Sequence, residues 1–188
     1  PMRRLASAAV LVCTLALPAL ADVPLSQIAP ENASNGITVA KKDEPGERMM
    51  VEGVVTDGAN PLQGVSLFVY QTDAEGKYAE DEKTPGAGAD HPRLRGFMRT
   101  DMHGQYAFDT IKPATHPKAP LPAQVHYVVT AKGYKDQTFE IWFDDDPMIT
   151  AEHRKAAAAQ PGRFYVEKAF KDGRGIWHVT HDVVMERN

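Results

Sequence analysis

From residue 49 to the C-terminus, turn-forming clusters cut the chain into short β-prone runs, and this punctuation limits the folds open to it more than any other feature. The runs at 50–56 and 65–72 are rich in Val, Phe and Leu. Asp57-Gly58-Ala59-Asn60-Pro61 between them is turn chemistry, because Gly supplies positive φ, Pro presets φ, and Asp or Asn bonds to the local backbone. Runs of the same kind follow at 96–100, 106–111, 126–132, 138–143, 163–170 and 176–185. Turns are marked by Asp101-Met102-His103-Gly104, Lys132-Gly133-Tyr134 and Lys171-Asp172-Gly173. Only 150–160 reads as a helix, on its alanines, with Pro161-Gly162 as the stop. Many short strands and one short helix predict an all-β fold, an antiparallel β-sandwich, since a strand with one apolar face needs a second sheet to bury it.

The first residues differ in kind. Met2-Arg3-Arg4, an apolar run too short to cross a bilayer, and Ala19-Leu20-Ala21 before Asp22 follow the order of a secretory signal peptide. Cleavage near Ala21 is expected to deliver a secreted or periplasmic protein. Residues 22–48 carry Pro24, Pro30 and Pro45 with no sustained period and read as an N-terminal arm or linker, with a short strand around 36–40. Residues 49–188 then form one sandwich domain, and no later apolar run has the length of a membrane span.

Composition narrows the chemistry. Cys13, the one cysteine of the chain, lies in the leader, so disulfides, a Cys nucleophile and thiolate ligands are excluded from the processed protein. Any metal must be held by N and O donors. With 21 Lys and Arg against 25 Asp and Glu, a formal charge of −4 and no basic stripe, nucleic acid is not the expected partner. There is no G-x-S-x-G, phosphate loop or H-E-x-x-H to anchor a hydrolase or nucleotide reading. The strand-poor stretch 75–95 has the length of a functional loop.

The segment KPATHPKAPLPAQVHYVV places His116 and His126 ten positions apart. Strand alternation puts Gln124 and His126 on one face, and Glu140 with Trp142 on one face of another strand. Taken singly, each has an ordinary reading: a solvated loop histidine, a core histidine, an exposed strand carboxylate. His178 and His181 have odd spacing and face opposite sides of their strand. Asp144-Asp145-Asp146 lacks the further ligands of a calcium loop and reads as a solvated strand end.

VEGVVTDGANPLQGVSLFVYQTDAEGKY, RLRGFMRTDMHGQYAFDTIKPATHP, PAQVHYVV, FEIWFDDD and WHVTHDVVM, in that order across about 51–185, resemble the intradiol ring-cleavage dioxygenases, the catechol and protocatechuate dioxygenase superfamily. The resemblance implies a sandwich with one ferric ion on two tyrosinates and two histidines, cleaving a catechol with dioxygen between its hydroxylated carbons. The first tyrosine of that set falls on Tyr78, in Ala74-Glu75-Gly76-Lys77-Tyr78. The second falls on His116, and the two histidines fall on Gln124 and His126. An arginine expected to stabilise charge on the ring falls on Leu121, and a glutamine on the next strand falls on Glu140.

What the resemblance implies for this chain is therefore one metal ion on Tyr78, His116 and His126, with Gln124 or Glu140 completing or tuning the shell. Fe(III) is the ion of the family. Exchanging a tyrosinate for imidazole removes a negative charge and admits Fe(II), Cu or Zn. The expected partners are a small aromatic substrate and dioxygen, and homo-oligomers are common among such proteins. Two functions are open: an exported metal-dependent oxidoreductase acting on a catecholic or other phenolic compound, or a non-catalytic β-sandwich binding module that has lost the ferric site.

Overall fold

The alternation read from the sequence becomes two packed sheets. A computed structural model of the protein describes residues 25–78, 92–118 and 121–188. Residues 1–24, residues 79–91 of the long loop, His91 included, and residues 119–120 lie outside the described residues. The strands are β1 Gly36–Thr38, β2 Arg48–Thr56, β3 Ser66–Gln71, β4 Arg95–Arg99, β5 Gln105–Ile111, β6 Gln124–Thr130, β7 Gln137–Phe143, β8 Phe164–Glu167, β9 Ala169–Lys171, β10 Trp177–Thr180 and β11 Val183–Val184. The helix, α1, spans Ala151–Ala159, begun by a capping box between Thr150 and His153. No helix among the described residues is long and apolar enough to cross a membrane.

One sheet runs β1-β5-β2-β10-β9, with β11 also on β2, and the other runs β4-β3-β6-β7-β8. Their inner faces supply the core: Met49, Val51, Val55, Tyr106 and Phe108 from the first, Leu67, Val69, Val125, Tyr127, Phe139 and Ile141 from the second. Burying each such side chain is worth about 1.5–3 kcal/mol, so the periodicity in the sequence is the fold's main source of stability. The expected sandwich is present, and its sheets are mixed. β1 pairs with β5, β10 and β11 with β2, and β8 with β7 in parallel, the rest antiparallel.

Two runs that read as single strands are each divided. The run 163–170 breaks at Lys168, so that β8 joins one sheet and β9 the other. The run 176–185 breaks at His181, whose backbone carbonyl passes so close to β2 that a Cβ on Gly53 would lie 1.8 Å from it. Propensity sees only β-prone residues and cannot tell a strand from a strand that changes sheets. The arm is drawn onto the sandwich as well. β1 extends the first sheet, and Arg99 donates to the carbonyls of Ala29 (2.8 Å), Pro30 (2.9 Å) and Gly64 (2.6 Å).

Candidate functional site

Two loops leave neighbouring strand ends and are laced together before they reach the site. Gln71, only 1% exposed at the end of β3, donates to the Ile111 carbonyl at 2.8 Å and accepts from the Thr110 hydroxyl at 2.9 Å at the end of β5. This network joins the two sheets. Just beyond it, the Thr72 hydroxyl donates to the Ala114 carbonyl at 2.7 Å, and the Ala114 N–H donates to the Asp73 carbonyl at 3.1 Å. The Asp73 carboxylate folds the next turn by accepting from the N–H groups of Glu75 and Lys77, each at 2.9 Å. Gly76, at φ +75, presses on the opposite loop, where an added Cβ would lie 1.9 Å from the Thr115 carbonyl oxygen. Glycine is required there, and the contact delivers Tyr78 and His116 to one place.

The third segment is β6. Its start is held by Asp146, whose carboxylate accepts from the N–H groups of Ala123 (2.7 Å) and Met148 (2.8 Å). The Asp144–Asp146 triplet is therefore not a solvated strand end. Asp146 is buried, Asp145 pairs with Lys112, and Asp144 accepts from the Ala169 N–H at 3.2 Å. A chain leaving a buried strand must satisfy its neighbours' N–H groups, and these carboxylates do so.

Val125, Tyr127 and Val129 face the core, so Gln124 and His126 face outward from their sheet. Register then sets Tyr70, His126 and Glu140 side by side across β3, β6 and β7. The Tyr70 ring stacks on the His126 ring at 4.4 Å and 7°. On one side of the imidazole, Glu140 Oε1 stands 3.5 Å from Nδ1, longer than a good hydrogen bond, while Glu140 Oε2 accepts from Trp142 Nε1 at 3.2 Å. On the other side, the Tyr78 hydroxyl is 2.7 Å and the Gln124 amide nitrogen 3.0 Å from Nε2.

Burial governs the protonation of this group. It depresses His126 to about 4, so the ring is neutral at ordinary pH and keeps a lone pair. It also raises Tyr78 and Glu140 above their usual ranges, the Glu140 shift being opposed by the Trp142 hydrogen bond. The phenol thus keeps its proton, and it donates to His126 Nε2 in the tautomer that carries the ring proton on Nδ1 toward Glu140.

Beside these atoms lies a cavity of about 220 Å3 bordered by Thr72, Tyr78, Ala114, His116, Leu121 and Gln124. Leu121, 45% exposed, stands at its edge. His116 accepts from the Lys118 N–H at 3.2 Å through Nδ1, which leaves Nε2 as the nitrogen for another partner, and its ring centre is 6.2 Å from that of Tyr78.

Of the residues singled out in the sequence, Tyr78, Gln124 and His126 converge within hydrogen-bonding distance, and His116 shares their cavity. Glu140 touches the far side of the imidazole and does not reach the Nε2 side. Among the described residues no three His, Asp or Glu gather as a metal cluster; the convergent donors are a phenol, an imidazole and a carboxamide. They fit a metal ion bound through N and O. Neighbouring ligands roughly 2.1 Å from one ion stand about 3 Å apart, close to the 2.7 Å between the Tyr78 hydroxyl and His126 Nε2, while Gln124 meets that nitrogen through its amide nitrogen and would ligate only with the amide turned over. The set carries one anionic donor where the family pattern has two. Sequence reasoning missed Tyr70, Gln71 and Asp146. A glutamine ending an apolar strand run was a usable signal for Gln71, whereas Tyr70 and Asp146 needed cross-strand register.

A family model described as Dioxygenase matches residues 24–186. A hydroxyquinol 1,2-dioxygenase of a Rhizobium species is 31% identical over 175 residues, covering 77% of this chain and 57% of that protein. Catechol 1,2-dioxygenase of Acinetobacter radioresistens superposes with a TM-score of 0.66 at 22% identity, covering 85% of this chain and 59% of that one. The dioxygenase domain of a dioxygenase carbohydrate-binding protein fusion from Streptomyces sp. SirexAA-E superposes with a TM-score of 0.61 at 21% identity, covering 85% of this chain and 94% of that one. These two likenesses speak to the fold. The chain spans about half the length of the curated relatives it matches. With the family match running through both sheets and every candidate site residue, the chain belongs to the intradiol ring-cleavage dioxygenase family.

Proposed function

We propose that the protein is an exported, metal-dependent oxidoreductase that opens or oxidises a small catecholic or other phenolic ring with dioxygen. The observation that carries this reading is the convergence of Tyr78, Gln124 and His126 beside a cavity that His116 also borders. Members of the family normally use a non-haem iron and act on aromatic substrates with dioxygen. Bound iron supplies a Lewis acid for a phenolic oxygen and a path for electrons to dioxygen.

The remaining work falls to the chain. Tyr78 and His126 hold the ion, and His116 offers a second imidazole from the facing loop. The Tyr70 stack and Glu140 on Nδ1 fix the plane of the His126 ring and keep its lone pair aimed through Nε2. Leu121 and Ala114 provide apolar walls that seat a ring and exclude water. A cavity of about 150 Å3 suffices for benzene, so 220 Å3 favours a single-ring compound over a fused or polymeric one. Export is supported by the leader-like first 21 residues.

The test is a tag-free preparation analysed for metal, its visible spectrum, and oxygen uptake with simple catechols. About one ion per chain and substrate-dependent oxygen consumption are expected. A preparation that takes up neither iron, copper nor zinc on reconstitution refutes the reading and leaves a binding module of the same fold. Sequencing the N-terminus of protein recovered from the periplasm or medium tests export, with Asp22 expected first.

A further inference from the structure

The hydrogen bonds around His126 do not balance. Nε2 has one lone pair, yet both the Tyr78 hydroxyl at 2.7 Å and the Gln124 amide nitrogen at 3.0 Å are directed at it. The other end of the same amide, Gln124 Oε1, is buried with no partner among the described residues. Leaving a buried acceptor unmade costs about 1–3 kcal/mol. Turning the amide over does not repair this. The oxygen would then need a proton on Nε2, which leaves Nδ1 bare against the Glu140 carboxylate at 3.5 Å. With Glu140 ionised, either orientation strands one polar group.

A cation among these atoms removes the conflict. We propose that Gln124 is itself a metal ligand, presenting Oε1 to the ion that Tyr78 and His126 hold, so that a neutral carboxamide oxygen stands where the family pattern has an imidazole. The inference rests on the metal-dependent reading above. It makes the cluster a donor set of one phenolate, one imidazole and one carboxamide, with a single negative charge and a hard oxygen in place of a nitrogen. Such a set suits a divalent ion with a taste for oxygen better than one requiring two anionic donors. The backbone is prepared for it. Asp146 fixes Ala123 at the mouth of β6, and Gln124 pairs across to Trp142 on β7, so the amide is carried on a rigid strand.

The experiment is metal binding by the wild-type chain, Gln124→Leu, Gln124→Glu and His126→Ala, titrated with Fe(II), Zn(II) and Cu(II) and followed by calorimetry, with thermal melts of each metal-free protein. Gln124→Leu keeps the size of the side chain and removes its donors. Its affinity is expected to fall by about 10-fold or more, while its metal-free melting temperature stays level or rises because the orphaned oxygen is gone. Gln124→Glu keeps an oxygen at the same place and is expected to bind at least as tightly as wild type. Should Gln124→Leu fail to fold, the glutamate variant decides: weaker binding than wild type overturns the proposal. Folded Gln124→Leu with less than a tenfold loss also overturns it, and if His126→Ala has meanwhile lost the metal, the broader metal-dependent reading still stands. A wild-type chain that binds none of the three ions defeats both.

Discussion

Among the described residues are two histidine–glutamate pairs that the letters of the sequence do not distinguish. His181 lies between the sheets, 2% exposed, with Nδ1 bonded to Glu167 at 2.7 Å. Rings of Tyr165, Phe139 and Tyr127 surround it at 4.6, 5.1 and 5.7 Å, and its backbone carbonyl accepts from the Tyr106 hydroxyl at 2.7 Å. His126 faces outward from its sheet, 3.5 Å from Glu140, with Nε2 turned to Tyr78 and Gln124 beside a cavity. The tight pair is enclosed by hydrocarbon and closes the joint between β10 and β11. In the loose pair the second ring nitrogen meets the Tyr78 hydroxyl and the Gln124 amide beside an open cavity. Burial and a carboxylate neighbour are thus common to a histidine packed between the sheets and to the candidate ligand His126. What separates them is what the second ring nitrogen meets.

The largest contrast between the two pairs is expected in metal affinity. His126→Leu is expected to weaken binding by more than about 100-fold in equilibrium dialysis, and His181→Leu to leave it within a factor of about three. Equal losses in the two variants would break the distinction. Stability is expected to reverse the order. His181→Leu leaves Glu167 without its partner and costs about 1–3 kcal/mol in urea unfolding, and metal-free His126→Leu costs less.

The pH dependence of the metal-free protein gives a third, smaller contrast. Burial holds His126 at about 4 against an ordinary 6.5, so the unfolded chain takes up the proton first. Stability contributed by the neutral ring is present above pH 6.5 and is lost as the pH falls towards 4. The raised Glu140 acts in the opposite sense, because the folded state binds its proton first. His126→Leu should therefore flatten the decline between pH 7 and 4.5, and urea midpoints at the two values measure it. A decline as steep as in wild type would place its origin elsewhere.

The smallest effect is expected at the cavity edge. Leu121→Arg restores a cation where the family pattern has one, and catechol turnover should rise by a few fold. That is well below the roughly 100-fold of a buried donor, because the position is 45% exposed. Unchanged or lower oxygen uptake would show that charge at this edge does not limit the reaction.

Much of the fold could be read from residue order. Regular alternation in β2 and β5 and the turn clusters at Asp57–Pro61 and Asp101–Gly104 set strand positions within a residue or two, because a half-buried strand has a period of two whatever its partner. The breaks were not legible: the one at Lys168 depends on which sheet receives the next residues, and the one at His181 on how closely its carbonyl passes Gly53 of β2, where β10 gives way to β11. The site divides in the same way. Tyr78, His116, Gln124 and His126 were found through matched motifs, while Tyr70, Asp146 and the side of His126 on which Glu140 stands emerged only from pairing between distant segments.

Residue order alone encodes a β-sandwich of the intradiol family, because periodicity, turn chemistry and motif spacing are properties of the chain in order. Which side chains meet depends on the folded sheets. Tyr78 and His126 are 48 residues apart, and Gln71, Gly76 and Asp146 bring their loops together through contacts made only when both sheets are folded. A ligand set is a matter of angströms between residues remote in sequence, and no local pattern encodes that distance.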